Sequence, residues 1–204
     1  MWKEQLDDNE ILTKIIEKLN ETETNIKIDI YQGLPKAEKM ELIIQKSVEL
    51  GVNSIIPISL KRCVVKLEGK DQNKKIERWQ KIAESAAKQC GRNIIPKIGN
   101  IIKIKQFEEL SKNYDSLIVA YENEKEYTLK QEIQKIKQSN KKELKIAVVI
   151  GPEGGLAEEE IETLKNYGAN IVTLGKRILR TETVALNKWS LCCIIRWKCK
   201  RRIW

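Results

Sequence analysis

Two stretches of the 204-residue chain combine glycine with residue types that could do chemistry, and they lie about twenty residues apart. The first is Ile146-Ala-Val-Val-Ile-Gly-Pro-Glu-Gly-Gly155, followed at once by Glu158, Glu159 and Glu160. A β-branched run that empties into a glycine-rich loop and then a helix leaves backbone N–H groups beside the strand's carboxyl end, where α/β sheets bind ligands. Without side chains at Gly151, Gly154 and Gly155, a flat ligand can approach the main chain. The same pattern also suits a tight strand-to-helix turn that merely uses glycine. The second stretch is Leu174-Gly-Lys-Arg-Ile-Leu-Arg-Thr-Glu-Thr183. Here Thr181 or Thr183 can cap a helix, and Arg180 and Glu182 stand beside a Gly-led loop. Read alone, it could equally be an ordinary cap flanked by an exposed ion pair, which is worth little. Neither G-x-G-x-x-G nor G-x-x-x-x-G-K-[ST] occurs, so dinucleotide and P-loop readings lose their main support.

Composition narrows the chemistry further. The chain has no histidine, which removes Ser-His and Cys-His pairs and imidazole metal ligands. Acid-base work must fall to carboxylates, Lys, Tyr or Cys. The five cysteines, Cys63, Cys90, Cys192, Cys193 and Cys199, form no C-x-x-C pair. That argues against a zinc site or a disulfide framework and for a reducing cytoplasm. There is no uncharged apolar run long enough to span a membrane, and no signal-peptide core at the start. The net charge of +9 is mostly a C-terminal property. Six Lys/Arg and no acid lie between Lys188 and Trp204, and the remainder has 32 basic against 29 acidic residues. Charge alone is therefore weak evidence for a nucleic-acid partner.

The elements that must position these loops follow from periodicity. Runs at 26–31, 54–59, 116–121, 145–150 and 170–174 are rich in β-branched residues, and the last four are mostly continuous apolar stretches. That is the pattern of a parallel sheet covered by helices on both faces. Helical spacing links Met40, Ile43, Ile44, Ser47 and Val48, with Gly51 as a stop, and then Ile76, Trp79, Ala83, Ala86 and Cys90, ending at Gly91. A third helix opens on the three glutamates and stops near Gly168, carboxylates favouring the positive end of its dipole. The Lys-rich segment 134–144 reads as a solvated helix end plus loop. Alternation of strand and helix gives a doubly wound α/β domain over about 26–195.

Taken together, Gly151-Pro-Glu-Gly-Gly155 and Leu174-Gly-Lys-Arg-Ile-Leu-Arg-Thr-Glu-Thr183 resemble the signature of the ribosomal RNA small subunit methyltransferase E family, in the SPOUT superfamily. Upstream, Lys36-Ala-Glu-Lys-Met40 with Gln45-Lys-Ser-Val-Glu-Leu-Gly51 is similar to the family's first helix. Ser59-Leu-Lys-Arg-Cys-Val-Val65 is similar to its Ser-x-x-Arg segment, and Arg78-Trp79 through Gln89, Gly91, Arg92 and Pro96 to its second helix. The resemblance runs from about residue 10 to 187. It implies an α/β, trefoil-knotted fold with a mainly parallel sheet, and a homodimer with the site at its interface. It also implies methylation of a uracil N3 in 16S rRNA of the small ribosomal subunit, with S-adenosylmethionine as cofactor.

The site residues expected on this basis fall into three groups. Cofactor binding goes to Gly151, Pro152, Glu153, Gly154 and Gly155, and to Leu174, Gly175, Ile178, Leu179, Arg180 and Thr181. Arg180 is also the candidate for stabilising charge on the base, with Glu182 orienting it, and Arg62 and Arg92 suit RNA contact. Methyl transfer from a sulfonium needs neither metal nor histidine, so no metal is expected. Two departures from the family stand out. Residues 1–24 read as the remnant of a PUA-like RNA-binding barrel preceding a methyltransferase domain at 25–195, with 196–204 an atypical basic tail. From Asn187 onward the small apolar helix of the family is replaced by a segment carrying three of the five Trp, three of the five Cys and six unopposed cations. The expectation is an N-terminally truncated chain with an aberrant C-terminus that methylates poorly. An inactive fragment or a non-catalytic RNA-binding module are the alternatives.

Overall fold

A computed structural model describes residues 3–7, 10–13, 23, 25–36, 38–67, 69–139 and 141–187. Seven strands form one parallel sheet: β3 (Ile26–Gly33), β4 (Ser54–Ser59), β5 (Lys97–Ile98), β6 (Ile102–Lys103), β7 (Ser116–Ala120), β8 (Leu144–Ile150) and β9 (Asn170–Val172). Their order is β5-β4-β3-β8-β7-β9, with β6 also on β4, and every pairing is parallel. Apart from this sheet, β1 (Lys3–Asp7) and β2 (Glu10–Thr13) pair antiparallel with each other. Residues 188–204, where the changed composition lies, are outside the described residues.

The continuous apolar runs are strands because both of their faces are covered. In β8, Ile146, Ala147, Val148, Val149 and Ile150 are all at most 1% exposed, so no alternation with polar residues is possible. Helix α1 (Lys39–Glu49) buries Met40, Ile43, Ile44, Ser47 and Val48 along the stripe its spacing predicts, and the chain turns at Gly51, whose N–H reaches the Val48 carbonyl. Helix α2 (Gly69–Gln89) buries only Trp79, Ala83, Ala86 and Ala87, leaving its many lysines in solvent. Helix α5 (Glu158–Asn166) opens on its three glutamates, and the Glu160 carboxylate accepts the Ala157 N–H at 2.9 Å.

Two helices are additional to the periodicity reading: α3 (Ile104–Ser111) and α4 (Leu129–Gln138). The Lys-rich stretch around 134–144 is the end of α4 and the loop after it. Within α4, Glu132 is buried, and its carboxylate accepts from Ser116 Oγ, Tyr127 Oη and Asn170 Nδ2. A second buried carboxylate, Asp29 on β3, accepts from Asn53, Ser54 and Tyr114. Burial, together with the bonds to Tyr31 and Asp29, pushes the Tyr114 phenol far above its ordinary range. Both networks are satisfied on the protein's own donors, so they hold elements together and leave nothing free for a ligand.

After the edge strand β9, the chain returns across the carboxyl ends of β7 and β8. It then starts α6 (Thr181–Asn187), which packs against α1 and β8 at the centre of the sheet. That return places the second glycine-led loop beside the first.

Candidate active site

In a parallel sheet all carboxyl ends share one edge, so the ends of β3, β8, β7 and β9 converge. The loop leaving β8 crosses directly over the end of β3. A Cβ on Gly33 would stand 2.7 Å from both the backbone nitrogen and Cδ of Pro152, so this crossing requires glycine. The loop then turns back with the Gly155 N–H on the Pro152 carbonyl at 3.0 Å, and Gly155 has φ of 71°. A Cβ there would collide with the Glu122 carboxylate.

Between this loop and the second one lies a cavity of about 410 Å³, the size range of small-ligand sites. Its walls are residues 120–122 from the end of β7, 150–153 and 155–156 from the first loop, and 173–181 from the second, with Lys39 and Val184 closing one side. The two loops are locked where α6 begins. The buried Thr181 hydroxyl donates to the Gly151 carbonyl at 2.7 Å and accepts from Gln32 Nε2 at 3.0 Å, while Gln32 Nε2 also donates to Gly33 O at 2.9 Å.

Charge gathers around the mouth. The Lys39 ammonium lies 3.1 Å from Glu153 and 3.6 Å from Glu182, tying α1 to the first loop and to α6. Burial opposes ionisation of Glu153. The amides of Glu153 itself and Lys36, with the Lys39 ammonium, outweigh it and hold the carboxyl below its ordinary range. Lys176, Arg177 and Arg180 are exposed along the second loop, and the Arg180 guanidinium engages none of the described residues. Ile178 in the same loop is 86% exposed.

The expected site residues separate on this geometry. Gly151, Pro152, Glu153, Gly155, Leu174, Gly175, Ile178, Leu179, Arg180 and Thr181 all line the cavity. Gly154 does not: its Cβ position points at Arg62, 3.1 Å from that side chain, and Arg62 Nη1 donates to the Gly154 carbonyl. Glu182 stands behind the wall as a partner of Lys39. Arg62 is exposed at the rim. Its segment is strapped to α5, because the Lys61 N–H donates to the buried Glu160 carboxylate at 2.7 Å.

Arg92 corrects the expectation of RNA contact. Its side chain is only 7% exposed, pairs with Glu23 at 2.6 Å, and donates through Nη1 to the carbonyls of Val48 and Val52. Those carbonyls belong to the end of α1 and the turn after it, so Arg92 ties the end of α2 to the end of α1.

Three contributors escaped sequence reasoning: Gln32, Lys39 and residues 120–122. The signal for the last was available, since a parallel strand expected at 116–121 must end at the same edge as its neighbours. Among the described residues no cluster of His, Cys, Asp and Glu could hold a metal ion. None of the helices among them is long and apolar enough to cross a membrane.

A cavity walled by glycine backbone at the carboxyl edge of a parallel sheet fits a bent nucleoside cofactor. Glycine lets the wall fold this tightly, since a Cβ at Gly151 would press on the backbone of Gly155 and Leu156 and one at Gly155 on Glu122. Comparison with known proteins agrees. The RNA methyltransferase domain model matches residues 22–192. Ribosomal RNA small subunit methyltransferase E of Bacillus subtilis is 42% identical over 177 residues, covering 86% of this chain and 69% of that protein. The protein of the same name from Mesomycoplasma hyopneumoniae is 37% identical, covering 88% and 75%. Among solved structures, a putative methyltransferase from Legionella pneumophila in complex with the bound cofactor SAM superposes with a TM-score of 0.77 at 34% identity, covering 85% of this chain and 69% of that one. The methyltransferase E of Neisseria gonorrhoeae, bound to S-adenosyl methionine, gives 0.70 at 32% identity, covering 86% and 68%. With its SPOUT-type sheet, its two locked loops and relatives of this identity, the chain belongs to the ribosomal RNA small subunit methyltransferase E family of RNA methyltransferases.

Proposed function

We propose that the chain transfers the methyl group of S-adenosylmethionine to N3 of a uracil in 16S rRNA, working in the cytoplasm as a homodimer. The observation that carries this reading is the cavity between the two loops, where main chain rather than side chain forms much of the wall. Gly151, Pro152, Glu153 and Gly155 would hold the cofactor from one side, and Leu174, Gly175, Ile178, Leu179 and Thr181 from the other. When bound, the cofactor supplies an electrophilic methyl on a sulfonium.

Uracil N3 carries a proton and is a poor nucleophile until that proton leaves. Arg180, which engages none of the described residues through its guanidinium, would stabilise the negative charge that develops on the base. Glu182 acts indirectly, by holding Lys39 and so the relation of α6 to the first loop. Arg62, Lys176 and Arg177 ring the mouth and suit phosphate contact, which positions RNA without reading its sequence. The antiparallel pair β1–β2, separate from the parallel sheet, suits a further RNA-gripping unit over residues 1–24, before the methyltransferase domain at 25–195. Leu42, 42% exposed on α1, offers an apolar contact for the homodimer that the family implies.

The test is to incubate the chain with small-subunit RNA and labelled S-adenosylmethionine, digest the RNA, and identify the modified nucleoside by mass spectrometry. 3-Methyluridine is the expected product. Label in another nucleoside, or none in RNA despite cofactor binding, would reject the assignment.

A further inference from the structure

We propose that Glu122 contacts the cofactor, its carboxylate taking the two ribose hydroxyls of the bound S-adenosyl group. The inference rests on reading the cavity as the cofactor site. Two carboxylates belong to the cavity wall. Glu153 is engaged by the Lys36 amide at 3.0 Å and by Lys39. Glu122 bonds to no donor among the described residues, and its carboxylate lies against Gly155 on the cavity wall. The nearby Gly155 N–H is already spent on the Pro152 carbonyl. The Glu122 side chain is exposed to solvent at the cavity wall, and a carboxylate offers acceptors only, so the hydroxyl donors of an entering ligand can replace water on it.

The segment that carries Glu122 is held from several sides. The Tyr121 N–H donates to the Val172 carbonyl at 3.1 Å, and the Thr173 N–H to the Tyr127 carbonyl at 2.8 Å. Glu124 accepts the amides of Glu126 and Tyr127, and the Tyr127 hydroxyl donates to the buried Glu132. These bonds fix the backbone that carries Glu122 and so keep its side chain at the cavity wall.

Position along the sheet selects the ribose. Lys39, Glu182 and the start of α6 gather over β3 and β8, where Thr181 bonds to Gln32 and Gly151. Glu122 follows β7, on the other side of the first loop. The methyl group must face the RNA base and therefore the Arg180 end, which leaves the nucleoside end for the β7 side. An acidic residue that takes ribose hydroxyls near a strand's carboxyl end is the arrangement used in other open α/β sheets.

The test compares S-adenosylhomocysteine with its 2′,3′-dideoxy analogue by calorimetric titration against the full chain and Glu122→Gln. The native chain should prefer the hydroxylated ligand roughly ten- to a hundred-fold, and the variant should lose most of that preference. Thermal unfolding should be unchanged, since Glu122 supports no described contact. A variant that keeps the preference, or that loses affinity equally for both ligands, overturns the assignment. Failure of the native chain to bind either ligand would instead reject the cofactor reading, and this inference with it.

Discussion

Replacing Thr181 by valine removes the hydroxyl that locks the two loops while keeping the shape of the side chain. Thr181 is buried, and its hydroxyl makes two short bonds, one to the Gly151 carbonyl and one from Gln32 Nε2. After the substitution Gln32 Nε2 keeps its bond to Gly33 O, but the Gly151 carbonyl is left with a 3.5 Å contact to Gln32. One half-buried acceptor is then almost bare, a loss of about 1–3 kcal/mol. For a domain of this size each kcal/mol lowers Tm by roughly 2–4 °C, so a fall of roughly 2–12 °C is expected. Urea unfolding should show a lower midpoint at unchanged slope, which marks a change in stability rather than in the unfolded state. Affinity for S-adenosylhomocysteine should fall as well, because the loops form opposite walls of one cavity. Thr181→Ser, which keeps the hydroxyl, should recover most of both losses. A valine variant as stable and as tight-binding as the native chain would refute the idea that this bond holds the site together.

Three further outcomes follow from named contacts. Arg180→Ala should lower kcat by roughly a hundred-fold or more in a single-turnover methylation assay, with little change in cofactor Kd, because its interaction is with charge that develops only in the transition state. Arg92→Met should cost on the order of 3 kcal/mol in urea unfolding by removing a buried ion pair with Glu23 and the guanidinium bonds to the Val48 and Val52 carbonyls, yet leave RNA affinity unchanged, whereas Arg62→Ala should weaken RNA binding at low salt without altering stability. Glu153 has a depressed folded pKa. Its contribution to stability is thus complete above its ordinary value of 4.5 and is lost as pH falls through the lowered one. Glu153→Gln should accordingly flatten the acid side of a Tm-against-pH curve.

The sheet was legible because its strands are buried on both faces, so that runs such as 145–150 stand out as continuous apolar segments. Both glycine-led loops could be read for the same reason: they interrupt such runs where a strand must end. Other features depend on where distant segments meet. Nothing in Arg92's neighbours along the chain reveals that the carbonyls of Val48 and Val52 lie within reach of its guanidinium. Glu132, just before the segment 134–144 that reads as solvated, is buried, and Ser116, Tyr127 and Asn170 come to it from outside its helix. The sequence presents Gly154 and Gly155 as equivalent, yet one faces Arg62 and the other the cavity. Only the turn geometry, with its bond from the Gly155 N–H to Pro152, separates them.

That difference between adjacent glycines offers the most direct test of where the cofactor binds. S-adenosylhomocysteine should be titrated calorimetrically into the native chain, Gly155→Ala and Gly154→Ala. The native chain should bind it. Gly155→Ala should lose binding, because its φ of 71° is one that side chains rarely adopt and the added methyl would push the Glu122 carboxylate from its place on the cavity wall. Gly154→Ala should retain affinity, since its methyl points away from the cavity toward the Cβ and carbonyl of Arg62, at 3.1 and 3.3 Å, which need give by only a few tenths of an ångström. Binding that survives in Gly155→Ala, or that is absent from the native chain, would contradict the placement of the cofactor between the two loops.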